Sequence, residues 1–99
     1  MELVVYPGIE QKLRDKHRVS IPEVEEAFMN RVGRFLKELR PQHQGSDPRF
    51  WFISETDSER KLKVVFVDDP TETAPVVITA YEPNETEEEE YERLQKEKG

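Results

Sequence analysis

Cysteine is absent from this 99-residue chain, which excludes a disulfide framework and a thiolate metal site. The only two histidines, His17 and His43, lack ligand spacing for zinc, so neither a metal nor another cofactor is expected. Long apolar runs are also missing. No stretch approaches the roughly 20 apolar residues that cross a bilayer, and the opening MELVVYPG has too short an apolar run and no basic flank for a signal peptide. The expectation is a soluble, unanchored protein of the cytoplasm with no membrane partner. Residues 1–99 are expected to form one domain, because that length supplies a single core and no more.

Excess positive charge is lacking as well. The net charge is −7 and 37% of residues are charged, a balance that argues against phosphate binding by clustered Lys and Arg. The distribution is uneven, however. Residues 82 to 99 carry eight acidic against three basic residues, a local −5 that leaves −2 for residues 1 to 81. The body of the domain is nearly neutral and keeps local basic groups, among them Arg60, Lys61 and Lys63.

What is present reads as alternating helix and strand signals. Pro7 suits a first helical turn, and Ile9 and Leu13 recur at a four-residue spacing, predicting a helix over about residues 7 to 17. Ser20-Ile-Pro-Glu23 fits a capping box and predicts a second helix to about Met29, with Val24, Ala27 and Phe28 apolar and Asn30 as its stop. Residues 35 to 39 read as a strand or a helical continuation, with strand favoured because Gly33 interrupts the helix. PQHQGSDP, residues 41 to 48, is a loop on composition. The runs 49–56, 61–68 and 76–81 read as strands, the first two joined by a hairpin over Asp57 to Arg60. Asn84 with Glu87 three residues on is a second N-cap pair, opening an acidic helix in the segment 82–99. The fold class is α+β: two N-terminal helices packed on a three- to four-stranded antiparallel meander sheet, followed by an acidic C-terminal helix.

Side-chain alternation then assigns faces. Leu62, Val64 and Phe66 form one apolar face, with Phe50 and Phe52 as neighbours and Ile78 and Ala80 joining from the last strand. The opposite face gathers Trp51, Ile53, Glu55, Lys63, Thr79 and Tyr81, a set that includes a carboxylate, an ammonium and a phenol.

The segments KLRDKHRVSIPEVEEAF, FWFISET followed by LKVVF, and VITAYEPNE resemble the BrnT-type toxins of type II toxin–antitoxin modules, within the RelE-like superfamily. The resemblance covers most of the chain and rests on the order and spacing of these segments. It implies two helices on a curved antiparallel sheet, endoribonuclease activity, and neutralisation by an antitoxin. The implied partners are a cognate antitoxin protein and RNA, with a homodimer as a further option. One departure stands out. Where chains of that type carry basic residues at the end of the last strand and in the following helix, this one has Tyr81, Glu82 and a glutamate run.

Metal-independent RNA cleavage needs a base for the ribose 2′-hydroxyl, cations for the phosphorane and an acid for the leaving 5′-oxygen. Glu55 or Lys63 is the candidate base, Arg60 and Lys61 the phosphate clamp, Tyr81 or His43 the acid, and Trp51 a platform for a base. Each has a plainer reading: Tyr81 as a core-edge aromatic, Lys61 and Lys63 as solvated strand residues, Trp51 as a core or interface anchor. The competing class is a protein-binding module without catalysis. The acidic helix has two readings of its own. It either folds back over the second sheet face, bringing Tyr91 and Leu94 to Trp51 or Ile53 and its carboxylates to Lys61 and Lys63, or it stays solvated. The small apolar area of Tyr91 and Leu94 favours the solvated form.

Overall fold

The computed structural model describes residues 1–39 and 47–97. Two helices come first, α1 (Pro7–His17) and α2 (Ile21–Met29), then strands β1 (Leu36–Lys37), β2 (Arg49–Glu55), β3 (Lys61–Val67) and β4 (Val76–Tyr81), and last α3 (Glu85–Lys96). The strands form an antiparallel sheet in the order β1-β2-β3-β4. The α+β arrangement is the expected one, with the final helix starting at Glu85 behind the Asn84 cap, inside the acidic segment 82–99. Most of the 41–48 loop, and His43 with it, lies outside the described residues.

Local chemistry sets the helix ends. Pro7 occupies the first turn of α1, and Arg18 closes it in the left-handed region at φ 56°. Ser20 and Glu23 exchange the two bonds of a capping box at α2, as Asn84 and Glu87 do at α3. The β2–β3 hairpin turns through Thr56 to Arg60, with Glu59 at φ 67°.

Alternation along β3 sorts its side chains between two layers. Leu62, Val64 and Phe66 are buried on the face that receives α1 and α2, where they meet Leu13, Val24, Ala27, Phe28 and Phe52. Five phenylalanines concentrate here. The ring of Phe66 lies 5.3 Å from that of Phe28, 4.9 Å from Phe35 and 5.7 Å from Phe50, while Phe28 and Phe52 are 4.7 Å apart. Such edge-on and offset pairs add to the stabilisation from burial alone. In β4 the expectation of Ile78 in this core is corrected. A register shift between Val65 and Phe66 places Val77 opposite Phe66 and Ala80 opposite Val64, so Val77 and Ala80 are fully buried and Ile78 is half-buried. The extra residue of a bulge reverses which side chains point inward on one side of it.

The outer edge of β4 is partly closed by the N-terminal segment. Val4 bridges Val76 in parallel, its N–H donating to the Pro75 carbonyl and its carbonyl accepting from the Val77 N–H, both at 2.9 Å. At the other edge β1 pairs with only Phe50 and Trp51, and β2 runs on past it.

Helix α3 covers the second face of the sheet, so the solvated alternative is overturned. Tyr91 is 9% exposed, with its ring 5.6 Å from Trp51, and Leu94 packs partly buried beside it. The anchor is larger than these two side chains. The Arg34 guanidinium donates to the Leu94 carbonyl at 2.6 Å and to the Glu97 carbonyl at 3.0 Å, while Gln95 accepts from the Arg34 N–H and donates to its carbonyl. A cation at the C-terminal end of a helix satisfies carbonyls that have no partner within it. Gly33 permits this approach: a Cβ there would stand 2.5 Å from the Tyr91 hydroxyl oxygen and 2.8 Å from Gln95.

Candidate functional site

Strand register brings the sequence-derived candidates together in rows on the face under α3. Ile53, Lys63 and Tyr81 lie side by side across β2, β3 and β4, and Glu55 faces Lys61 in the next row. At the centre sits Lys63, 6% exposed. Its Nζ donates to Glu87 Oε2 at 3.0 Å and lies 4.4 Å from the centroid of the Trp51 indole, a position in which the ring quadrupole supports a desolvated cation. The Tyr81 hydroxyl donates to the same oxygen, Glu87 Oε2, at 2.7 Å. One carboxylate of α3 thus gathers the ammonium and the phenol.

Glu87 also accepts from the Asn84 N–H at 3.0 Å through its other oxygen. Burial pushes its pKa up, but the Tyr81 hydroxyl, the Asn84 amide and the Lys63 ammonium together outweigh that and leave it below the usual carboxylate range. The carboxylate is therefore held ionised. On the far side of Tyr81, the His17 ring lies 5.6 Å away, and burial followed by the charges of Lys16 and Lys12 lowers its pKa. His17 therefore holds a proton less readily than a free imidazole and packs half-buried beside Tyr81.

The remaining candidates occupy different environments. Trp51 is 5% exposed under Tyr91 and Lys63, so in this arrangement its face is not presented to a nucleobase. Lys61 is exposed, with its Nζ 2.6 Å from Glu88. Glu55, also exposed, points from the end of β2, and no hydrogen bond to its side chain is made by any described residue. Arg60 is a structural tie. It donates to Glu82 at 2.7 Å, to Glu23 at 3.0 Å, to the Arg18 carbonyl at 2.8 Å and to the His17 carbonyl at 3.1 Å. These bonds bind the α1–α2 turn to the start of β3 and the end of β4, and they consume the fork that a phosphate would need.

Of the seven candidates, Lys63, Tyr81 and Trp51 form one cluster, Glu55 and Lys61 flank it, Arg60 stands apart, and His43 lies outside the described residues. Sequence reasoning missed Glu87 as the hub. The signal for it was present, since Asn84 and Glu87 make a capping box, but the second bond of that carboxylate depends on where α3 docks. Among the described residues no group of three or more His, Asp or Glu side chains is arranged to hold a metal ion, and no helix is long and apolar enough to cross a membrane. Compared with known proteins, the chain matches no family model and no curated protein.

Proposed function

We propose that this chain is a protein-binding module, related in fold to the small toxins it resembles, that works in the cytoplasm with a cognate antitoxin-like protein as its partner. The observation that carries this reading is the engagement of Glu87 Oε2 by both Lys63 and Tyr81. The groups on which RNA cleavage would depend are committed to an internal carboxylate, Trp51 is covered, and Arg60 is spent on backbone carbonyls and two glutamates.

A second reading is favoured by the same geometry. Lys63 Nζ and Tyr81 Oη reach one anionic oxygen at 3.0 and 2.7 Å, which is how a cation and an acid would meet a phosphate oxygen. In that reading the chain is a metal-independent endoribonuclease of the toxin type, and Glu87 stands where the phosphate would bind. Glu55 takes the proton of the 2′-hydroxyl, Lys61 and Lys63 neutralise the phosphorane, and Tyr81 protonates the 5′-oxygen once α3 moves aside.

Induction of the soluble protein in cells, with and without the neighbouring gene, tests both. The binding-module reading expects intact cellular RNA and a stable complex with a protein partner. Fragmented RNA that Tyr81→Phe, a change sparing the ring, restores to full length would replace it with the second reading. Size-exclusion chromatography of the isolated chain separates either case from a homodimer.

A further inference from the structure

An open cleft of about 1160 Å³ runs between the α2–β1 connection, the free end of β2 and α3. Ile53 and Tyr91 line its floor, and Val32 stands at the rim, 99% exposed. Four acidic side chains, Glu55, Asp57, Glu88 and Glu92, and two basic ones, Lys61 and Lys96, line it as well. The neutralisation is incomplete. Lys61 is taken by Glu88, and Asp57 accepts from the Asn30 amide at 2.9 Å. Glu55 and Glu92 accept no hydrogen bond from a described residue, and although Lys61 also attracts both through space, the lining keeps two more carboxylates than cations.

A second observation is independent of the charge. Ser54 lines the same cleft and is 8% exposed, yet its hydroxyl makes no hydrogen bond to any described residue. It sits where β2 has outrun β1, so the strand edge from Phe52 to Glu55 has no neighbouring strand. The Glu55 carbonyl there accepts from the Asn30 side chain at 3.0 Å, and the Ile53 backbone is hydrogen-bonded to the Tyr91 hydroxyl.

We propose that this cleft is the partner site and that its occupant is an extended protein segment carrying basic and apolar side chains. The inference rests on the binding-module reading and names the chemistry of the partner. Basic side chains of the segment pair with Glu55 and Glu92, and its apolar side chains cover Ile53 and Val32. An excess of carboxylates around an apolar floor repels RNA and attracts such a segment.

The test is an amide-resolved NMR titration of the full chain with three probes: a peptide alternating lysine and leucine, the same peptide with glutamate for lysine, and a single-stranded RNA. The lysine peptide is expected to shift the amides of Val32, Ser54 and Glu55 saturably, and the charge reversal Glu55→Lys/Glu92→Lys to weaken it by about tenfold or more. Both positions are exposed, and an unchanged amide spectrum elsewhere verifies the fold of the variant. No saturable binding, equal binding of the glutamate peptide, insensitivity to the charge reversal, or RNA shifting the same amides would each overturn the assignment. If the partner captured from cells stays bound to the Glu55→Lys/Glu92→Lys chain, the cleft is wrong while the module reading stands. If no protein partner binds the wild-type chain at all, the module reading itself falls.

Discussion

The ammonium of Lys63 lies 4.4 Å from the centroid of the Trp51 indole, with the residue 6% exposed. A lysine so placed is held by what surrounds it: the ring below and the Glu87 carboxylate above. Removing the cation leaves Glu87 with less compensation for its own desolvation, although that side chain is 21% exposed and water meets part of the need. Lys63→Ala is expected to cost about 1 to 3 kcal/mol, and Lys63→Met less, because the thioether keeps the contact with the indole. Urea denaturation followed by Trp51 fluorescence measures both. Equal midpoints for Lys63→Ala and wild type would show that the pair contributes nothing.

Acid should release α3. The Glu87 pKa is lowered in the folded chain, so its ionisation stabilises the fold fully at pH values above the ordinary glutamate pKa of about 4.3 and progressively less as pH falls below it. Glu23, with burial outweighed by the Ser20 amide and Arg60, is lowered too and acts in the same window. Stability should therefore fall on acidification from pH ~5, and Glu87→Gln should flatten part of that fall while costing stability at neutral pH. A pH series of thermal midpoints for both proteins decides the matter. Parallel curves would mean that Glu87 is not the titrating group.

Phe66 is the most connected ring of the first core face. Phe66→Ala is expected to cost about 3 to 5 kcal/mol, the usual penalty for a large buried aromatic, which is a large share of the stability of a domain this size. A chemical denaturation midpoint close to wild type would contradict the packing described for β3.

Arg60 reads as architecture. Arg60→Lys keeps the charge but loses the planar fork that serves the His17 and Arg18 carbonyls together with Glu23 and Glu82. The expected loss is about 1 to 3 kcal/mol, since the carbonyls of the α1–α2 turn are left with fewer donors. A lysine variant as stable as wild type would return Arg60 to the pool of surface cations.

Much of the fold was legible in local pattern. Leu62, Val64 and Phe66 alternate because each meets the same layer of helices, and Ser20 and Asn84 announce their helices because a capping box is completed within four residues. What depended on distant partners was not legible. The bulge at Val65/Phe66 exchanges Ile78 for Val77 without any mark in the β4 sequence. Arg60 appears basic and available until the carbonyls of residues 17 and 18 come beside it. The docking of α3 rests on Gly33 and Arg34, more than fifty residues earlier in the chain, so counting Tyr91 and Leu94 alone underestimated it. The candidate site shared both fates: its row of Ile53, Lys63 and Tyr81 followed from alternation, while its cover, Glu87, did not.

Opening α3 separates the two functional readings. Truncation after Asn84 removes seven acidic and three basic residues, taking the net charge from −7 to −3. The shortened chain is still acidic, so a gain in RNA affinity would require a local site at Lys61, Lys63 and Tyr81 and not a general change of charge. Truncation also uncovers Trp51 and Ile53 and invites aggregation, so a full-length variant, Tyr91→Ala/Leu94→Ala, serves as the second means of loosening the helix. Faster amide exchange in α3 verifies that it has opened. Low ionic strength is the sensitive condition, because competition between the α3 carboxylates and phosphate is least screened there. The binding-module reading expects both variants to bind single-stranded RNA no better than wild type in fluorescence anisotropy. A gain of about tenfold or more in either soluble variant, lost again on Tyr81→Phe, would instead make α3 the cover of a ribonuclease site.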